Sequence, residues 1–108
     1  MAKILYSDEA ILDLEQIGDH IAVALKSPVA ALNTVGKIQD GIDRLADFPH
    51  MGSPLSSIID FDTEYRFLVS GNYLTFYRAQ GDCVYIDRVL YGKRDYLMIL
   101  LRNLPHGE

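Results

Sequence analysis

The sequence predicts an α+β fold: an N-terminal strand, an α-helical hairpin, an antiparallel β-meander and a short C-terminal helix or tail. Three observations predict it. Apolar residues recur every three or four positions between Ile11 and Leu45, and from Tyr65 onward the period drops to two. Turn chemistry then divides both regions, with Ser27-Pro28 splitting the first and Ser70-Gly71-Asn72 and Gln80-Gly81-Asp82 splitting the second.

Lys3 to Tyr6 is a short extended run closed by Ser7, a good helix N-cap, with Asp8 and Glu9 suited to the positive end of a helix. Ile11, Leu14, Ile17, Ile21 and Leu25 then share one helical face, which leaves Asp13, Glu15 and Asp19 mainly toward solvent. After the Ser27-Pro28 break, Leu32, Val35, Ile38, Ile42 and Leu45 repeat the spacing, and Phe48-Pro49, Gly52 and Pro54 end the second helix. Gly36 and Gly41 each weaken that helix by roughly 1 kcal/mol relative to alanine, so close packing against a neighbour is expected there. Residues 52–63 read as a loop. Tyr65–Val69, Tyr73–Ala79 and Val84–Leu90 read as three strands, Gly92 ends the last, and Tyr96–Leu101 reads as the terminal helix or tail.

With 108 residues, 49% of them hydrophobic, the chain is the size of one domain spanning 1–108. One cysteine, Cys83, forms no internal disulfide, which suits a reducing cytosol. Met1–Tyr6 is too short for a signal-peptide core, and no apolar run approaches the ~18 residues that span a bilayer, so a cytoplasmic protein without membrane contact is expected. The net charge is −5. Residues 1–63 carry four bases against ten acids, and residues 64–108 six against five. Such a chain is not a general nucleic-acid binder, because affinity for phosphate backbones needs clustered Lys and Arg. His20, His50 and His106 lack the paired spacing of a metal site, and neither a metal nor a cofactor is expected.

A two-residue turn at Gly71-Asn72 puts Tyr65, Phe67, Val69, Leu74, Phe76 and Arg78 on one sheet face. A three-residue second turn adds Val84, Ile86 and Leu90 to it, and this apolar face is expected to pack on the helical hairpin. Arg66, Tyr73, Thr75, Tyr77, Tyr85, Asp87 and Tyr91 then share the other face, whose arginine and tyrosines suit recognition.

Order and residues together resemble the RelE/ParE superfamily, the toxins of type II toxin–antitoxin systems. The resemblance begins with Ser-x-Glu-Ala at Ser7–Ala10 and Asp-Leu-Glu-x-Ile at Asp13–Ile17, and continues with Leu-x-x-Phe-Pro-x-x-Gly at Leu45–Gly52. It closes with Tyr-Arg-Phe-Leu-Val from Tyr65, Asn-Tyr-Leu-x-Phe-Tyr-Arg from Asn72, and Arg-Val-Leu-Tyr-Gly-Lys-Arg-Asp from Arg88. The closing run looks closer to the ParE branch, the plasmid-stabilisation toxins, and Tyr91 stands where members often have His.

The resemblance implies a cognate antitoxin whose C-terminal segment wraps the toxin, with promoter DNA touched only through the antitoxin. The ParE branch implies binding and poisoning of DNA gyrase without chemistry. The RelE branch implies metal-independent cleavage of ribosome-bound mRNA, and a degenerate relative that binds antitoxin without toxicity is the third alternative. For cleavage, the carry-over makes Arg66 and Arg88 the phosphate-stabilising cations and puts Tyr91 at the acid position with Lys93 or Arg94 nearby. For binding of target or antitoxin it points to Arg66, Tyr73, Tyr77, Tyr91, Lys93 and Arg94. Against these roles stands a purely structural reading, in which Arg66 and Arg88 pair with Asp87, Asp95 or helix acids and Arg78 snorkels at the core edge.

Overall fold

The computed structural model describes residues 1–59 and 62–92. The terminal helix or tail expected at Tyr96–Leu101 lies outside the described residues, as do Lys93, Arg94 and Asp95. Strand β1 (Lys3–Tyr6) leads into helix α1 (Asp8–Ala24), followed by helix α2 (Pro28–Arg44), the two-residue strand β2 (Ser53–Pro54), a 3₁₀ turn (Leu55–Ser57), and strands β3 (Arg66–Ser70), β4 (Tyr73–Gln80) and β5 (Cys83–Tyr91). Among the described residues five strands form one sheet in the order β1-β5-β4-β3-β2. The meander is antiparallel, and β1 adds to it parallel to β5. The segment expected to be loop therefore contributes β2, whose Ser53 and Pro54 pair with Phe67 and Arg66.

Ser7 ties strand to helix. Its Oγ accepts from the Ala10 amide at 3.0 Å, capping α1, and donates to the Asp87 carbonyl at 2.7 Å, while its own amide continues the β1–β5 ladder to Ile86 O. Ser27 caps α2 through the Ala30 amide, with Pro28 in the first turn. Lys26, at φ +51°, supplies the left-handed residue that turns the chain between the helices.

Both hairpins have two-residue turns, at Gly71-Asn72 and Gly81-Asp82, and in each the leading glycine adopts a positive φ (+59° and +58°). The second turn is thus one residue shorter than expected. A β-bulge between Phe76 and Tyr77 takes up the difference: Phe76 pairs with Arg88 and Tyr77 with Ile86, leaving Asp87 as the extra residue.

The face assignment is corrected by the packing. Leu68, Tyr73, Tyr77, Ala79, Val84, Ile86 and Val89 form the core with Ala10, Leu14, Ile38, Ile42 and Leu45 of the helical layer. Phe67, Leu74, Phe76 and Leu90 lie on the opposite face, where Leu55 and Ile59 of the connecting segment cover them together with Tyr65. Only Val84 and Ile86 of the face expected under the helices are found there. Both faces carry apolar side chains, so alternation alone leaves undecided which one the helices cover. The bulge then reverses parity along β5, sending Leu90 to the far side.

The helical stripes are narrower than the spacing implied. Leu14, Ile38, Ile42 and Leu45 are buried, whereas Ile11, Leu25 and Leu32 are exposed. Gly41 packs closely, since an added Cβ would lie 3.3 Å from Ser70 Oγ, but Gly36 faces open space and needs no such explanation.

Candidate functional site

Asp13 is the residue that sequence reasoning misplaced most. It is 8% exposed, and its carboxylate holds Arg88 with both oxygens, at 2.8 Å to Nε and 2.9 Å to Nη2. The same carboxylate accepts from the Val89 amide at 3.0 Å. Strand β1 pairs with β5 only as far as Ile86, and beyond it the Asp13 side chain takes the place of a strand by satisfying an edge amide. A signal existed. Asp13 lies four and eight residues before Ile17 and Ile21, on their inward stripe.

Above this ion pair a groove of about 770 Å³ opens between α1, α2 and the β3–β4 turn. Ile17, Ile21 and Leu25 form its apolar wall, Lys37 of α2 stands across from them, and Tyr73 and Tyr91 line the sheet side. The two tyrosines are cross-strand partners with ring centroids 5.6 Å apart and planes at 55°. Burial, and then the neighbouring Tyr91, push the Tyr73 phenol above its ordinary value, so it enters the groove as a neutral hydrogen-bonding group. The Gly92 amide closes the end by bonding to Asn72 O at 2.7 Å.

Arg66 and Tyr77 lie further along the sheet, at the start of β3 and the middle of β4. They are also cross-strand partners, four residues along β4 from the tyrosine pair, or about 13 Å at ~3.3 Å per residue. Tyr77 is fully buried, and its hydroxyl accepts from the Gly52 amide at 2.9 Å. Burial is the main cause that raises its pKa. Arg66 donates to Gly52 O at 2.7 Å and His50 O at 3.3 Å, pinning the same loop. A Cβ on Gly52 would come within 2.6 Å of the Tyr77 hydroxyl and 2.7 Å of Phe67 O, so this position requires glycine.

The expected recognition face of one arginine and four tyrosines is therefore not assembled. Tyr73, Tyr77 and Tyr91 lie on the helix side of the sheet, and Tyr85 is on the far face. There Arg78 sits 4.6 Å over the Tyr85 ring and pairs with Asp87 at 3.3 Å. Burial and the adjacent Asp87 carboxylate push the Tyr65 phenol up to about 12. Of the two arginines assigned to phosphate, Arg88 is neutralised by a helix acid, and its pKa is raised chiefly by that hydrogen bond. Arg66 has no carboxylate partner among the described residues, and it does not converge with Arg88 or Tyr91 on one point. Lys93 and Arg94 lie outside the described residues.

A family model described as the ParE toxin of the type II toxin–antitoxin system, parDE, matches residues 4–96. Among solved structures the chain is similar to one described as "Chromosomal ParDE TA system from P. aeruginosa", with a TM-score of 0.70 and 25% identity over 84% of this chain and 96% of that one. No curated protein matches significantly. The strand, helical hairpin and meander, together with the extent of these matches, show that the chain belongs to the ParE toxin family of type II toxin–antitoxin systems.

Proposed function

We propose that the chain acts as a toxin by binding DNA gyrase rather than by cleaving RNA, in the cytoplasm, and that a cognate antitoxin neutralises it by covering the groove at Tyr73 and Tyr91. The observation that carries this reading is the Asp13–Arg88 ion pair. Cleavage by an RNA's own 2′-hydroxyl needs uncommitted cations at the crowded phosphate with a base and an acid on either side. Arg88 is committed to Asp13 and to holding the β5 edge, and Arg66 lies at the start of β3, four residues along the ladder from the tyrosine pair. A binding mode asks only for shape, apolar surface and polar tips, which the groove and its tyrosine pair supply. Promoter DNA is reached through the antitoxin, in keeping with the acidic surface of the toxin.

A supercoiling assay with purified gyrase tests the target, with inhibition expected at stoichiometric toxin and relieved by antitoxin. Unaltered supercoiling at excess toxin would remove gyrase from the reading. The free charge of Arg66 favours a second reading, a metal-independent ribosome-dependent endoribonuclease. Cleavage of ribosome-bound mRNA that is lost in Arg66→Ala, with folding intact, would establish it.

A further inference from the structure

We propose that the groove selects its antitoxin by charge: it takes an amphipathic helical segment of about three turns that presents one carboxylate to Lys37. This rests on the reading of the chain as an antitoxin-neutralised toxin, and it adds which chemistry the cognate partner must carry.

The groove sets the length. Its lining follows α1 from Asp13 to Leu25, twelve residues at ~1.5 Å each, or about 18 Å. Its two long walls are side chains of α1 and α2, whose main-chain groups are used within those helices, and on the sheet side the Val89 amide is already taken by Asp13. At the turn, Asn72 O is already taken by the Gly92 amide. An extended strand would find few main-chain partners here, whereas a helix satisfies its own backbone and needs only side-chain contact. Ile17, Ile21 and Leu25 supply that contact at helical spacing, and Leu25 is 65% exposed, leaving apolar area to be covered.

Charge then fixes the register. Among the described residues two fully charged side chains line the groove, Asp13 and Lys37. Asp13 is cancelled by Arg88, and Lys37 has no carboxylate partner among the described residues. The described part of the groove thus holds one uncompensated charge, and it is positive in a chain whose net charge is −5. An acidic side chain on the partner is repelled by most of this surface and attracted at Lys37, which favours one register and disfavours partners with a basic residue there. A second copy of this chain, carrying the same negative net charge, is a poor occupant on the same ground.

The test uses the full chain and, as probe, the full-length product of the reading frame adjoining its gene, with affinities measured by calorimetry. Lys37→Glu should weaken binding about tenfold, combining the loss of a rim attraction with a repulsion of similar size. Carbodiimide treatment of the wild-type complex should join Lys37 to a partner aspartate or glutamate, and reversing that partner residue to lysine should restore affinity to Lys37→Glu. Leu25→Asp should weaken binding independently. Binding by Lys37→Glu within twofold of wild type, while Leu25→Asp binds poorly, overturns charge selection and leaves the toxin–antitoxin reading intact. Unchanged binding by Leu25→Asp shows that the groove is not the site. No binding by the wild-type chain removes both readings.

Discussion

Replacing Asp13 with alanine removes three interactions at once: two charged hydrogen bonds to Arg88 and the bond that satisfies the Val89 amide. Breaking a buried ion pair from one side costs about 3–5 kcal/mol, because the surviving charge is left uncompensated. The side chains here are 18% (Arg88) and 9% (Asp13) exposed, so water reaches the guanidinium in part, and the lower end of that range, about 3 kcal/mol, is expected. At ~4 °C per kcal/mol for a chain of this size, Tm should fall by about 12 °C. Urea denaturation should show a lower midpoint with an unchanged slope, since the surface exposed on unfolding stays the same. The double variant Asp13→Ala/Arg88→Met should be more stable than the sum of its single changes by at least ~1 kcal/mol, as expected of residues in contact. Single variants that each stay within ~0.5 kcal/mol of wild type, with no coupling, would refute the idea that this pair holds the groove floor. Toxicity retained by a folded Arg88→Met protein would further separate the structural role of Arg88 from a catalytic one.

Four further outcomes are expected. Gly52→Ala forces a Cβ against the buried Tyr77 hydroxyl and the Phe67 carbonyl, so a loss of about 2–3 kcal/mol should appear in thermal unfolding. Ser7→Ala removes both the α1 cap and the bond to Asp87 O, which should lower stability by about 1–2 kcal/mol in the same assay. Thr75 is fully buried and its Oγ1 has no hydrogen-bond partner among the described residues, so Thr75→Val, of nearly the same shape, should stabilise the protein by about 1 kcal/mol. Tyr65 titrates near 12 when folded against an ordinary value of 10.0. Its contribution is therefore complete below pH ~10 and lost as pH rises through ~12. Tyr65 is half-exposed, so that contribution is about 1 kcal/mol after solvent screening, and Tyr65→Phe should flatten the alkaline fall in stability by that amount.

Much of the architecture was legible because it rests on local chemistry. Ser7 and Ser27 cap the helices from positions where a serine precedes acidic residues or proline, and the glycines at 71 and 81 turn the hairpins through positive φ. The candidate site was legible only in pieces. Tyr73 and Tyr91 share a face as expected and meet across the strands, but Arg66 and Tyr77 form a separate pair four residues further along β4. Lys37 carried no obvious mark, since a lysine on a helix is an ordinary solvated residue until another element comes close, and Asp13 was marked only by sharing the stripe of Ile17 and Ile21. Ile11, Leu25 and Leu32 fit the apolar spacing and are nonetheless exposed, because spacing shows that residues share a stripe and not how much of it a neighbour covers.

The sequence by itself determined the element order, both helix starts and the places where the meander turns. These depend on interactions within a few residues: a side-chain cap, a fixed proline φ, a glycine free of a Cβ. Only the tertiary structure decided which sheet face lies under the helices, that β1 joins β5 in parallel, and that Arg88 is spent on Asp13. Each of these depends on residues far apart in the chain, Asp13 and Arg88 being separated by 75 positions. A single bulge at Asp87 reverses every side chain beyond it, and no local pattern announces such a reversal, because an unpaired residue in one strand is defined only by the strand beside it.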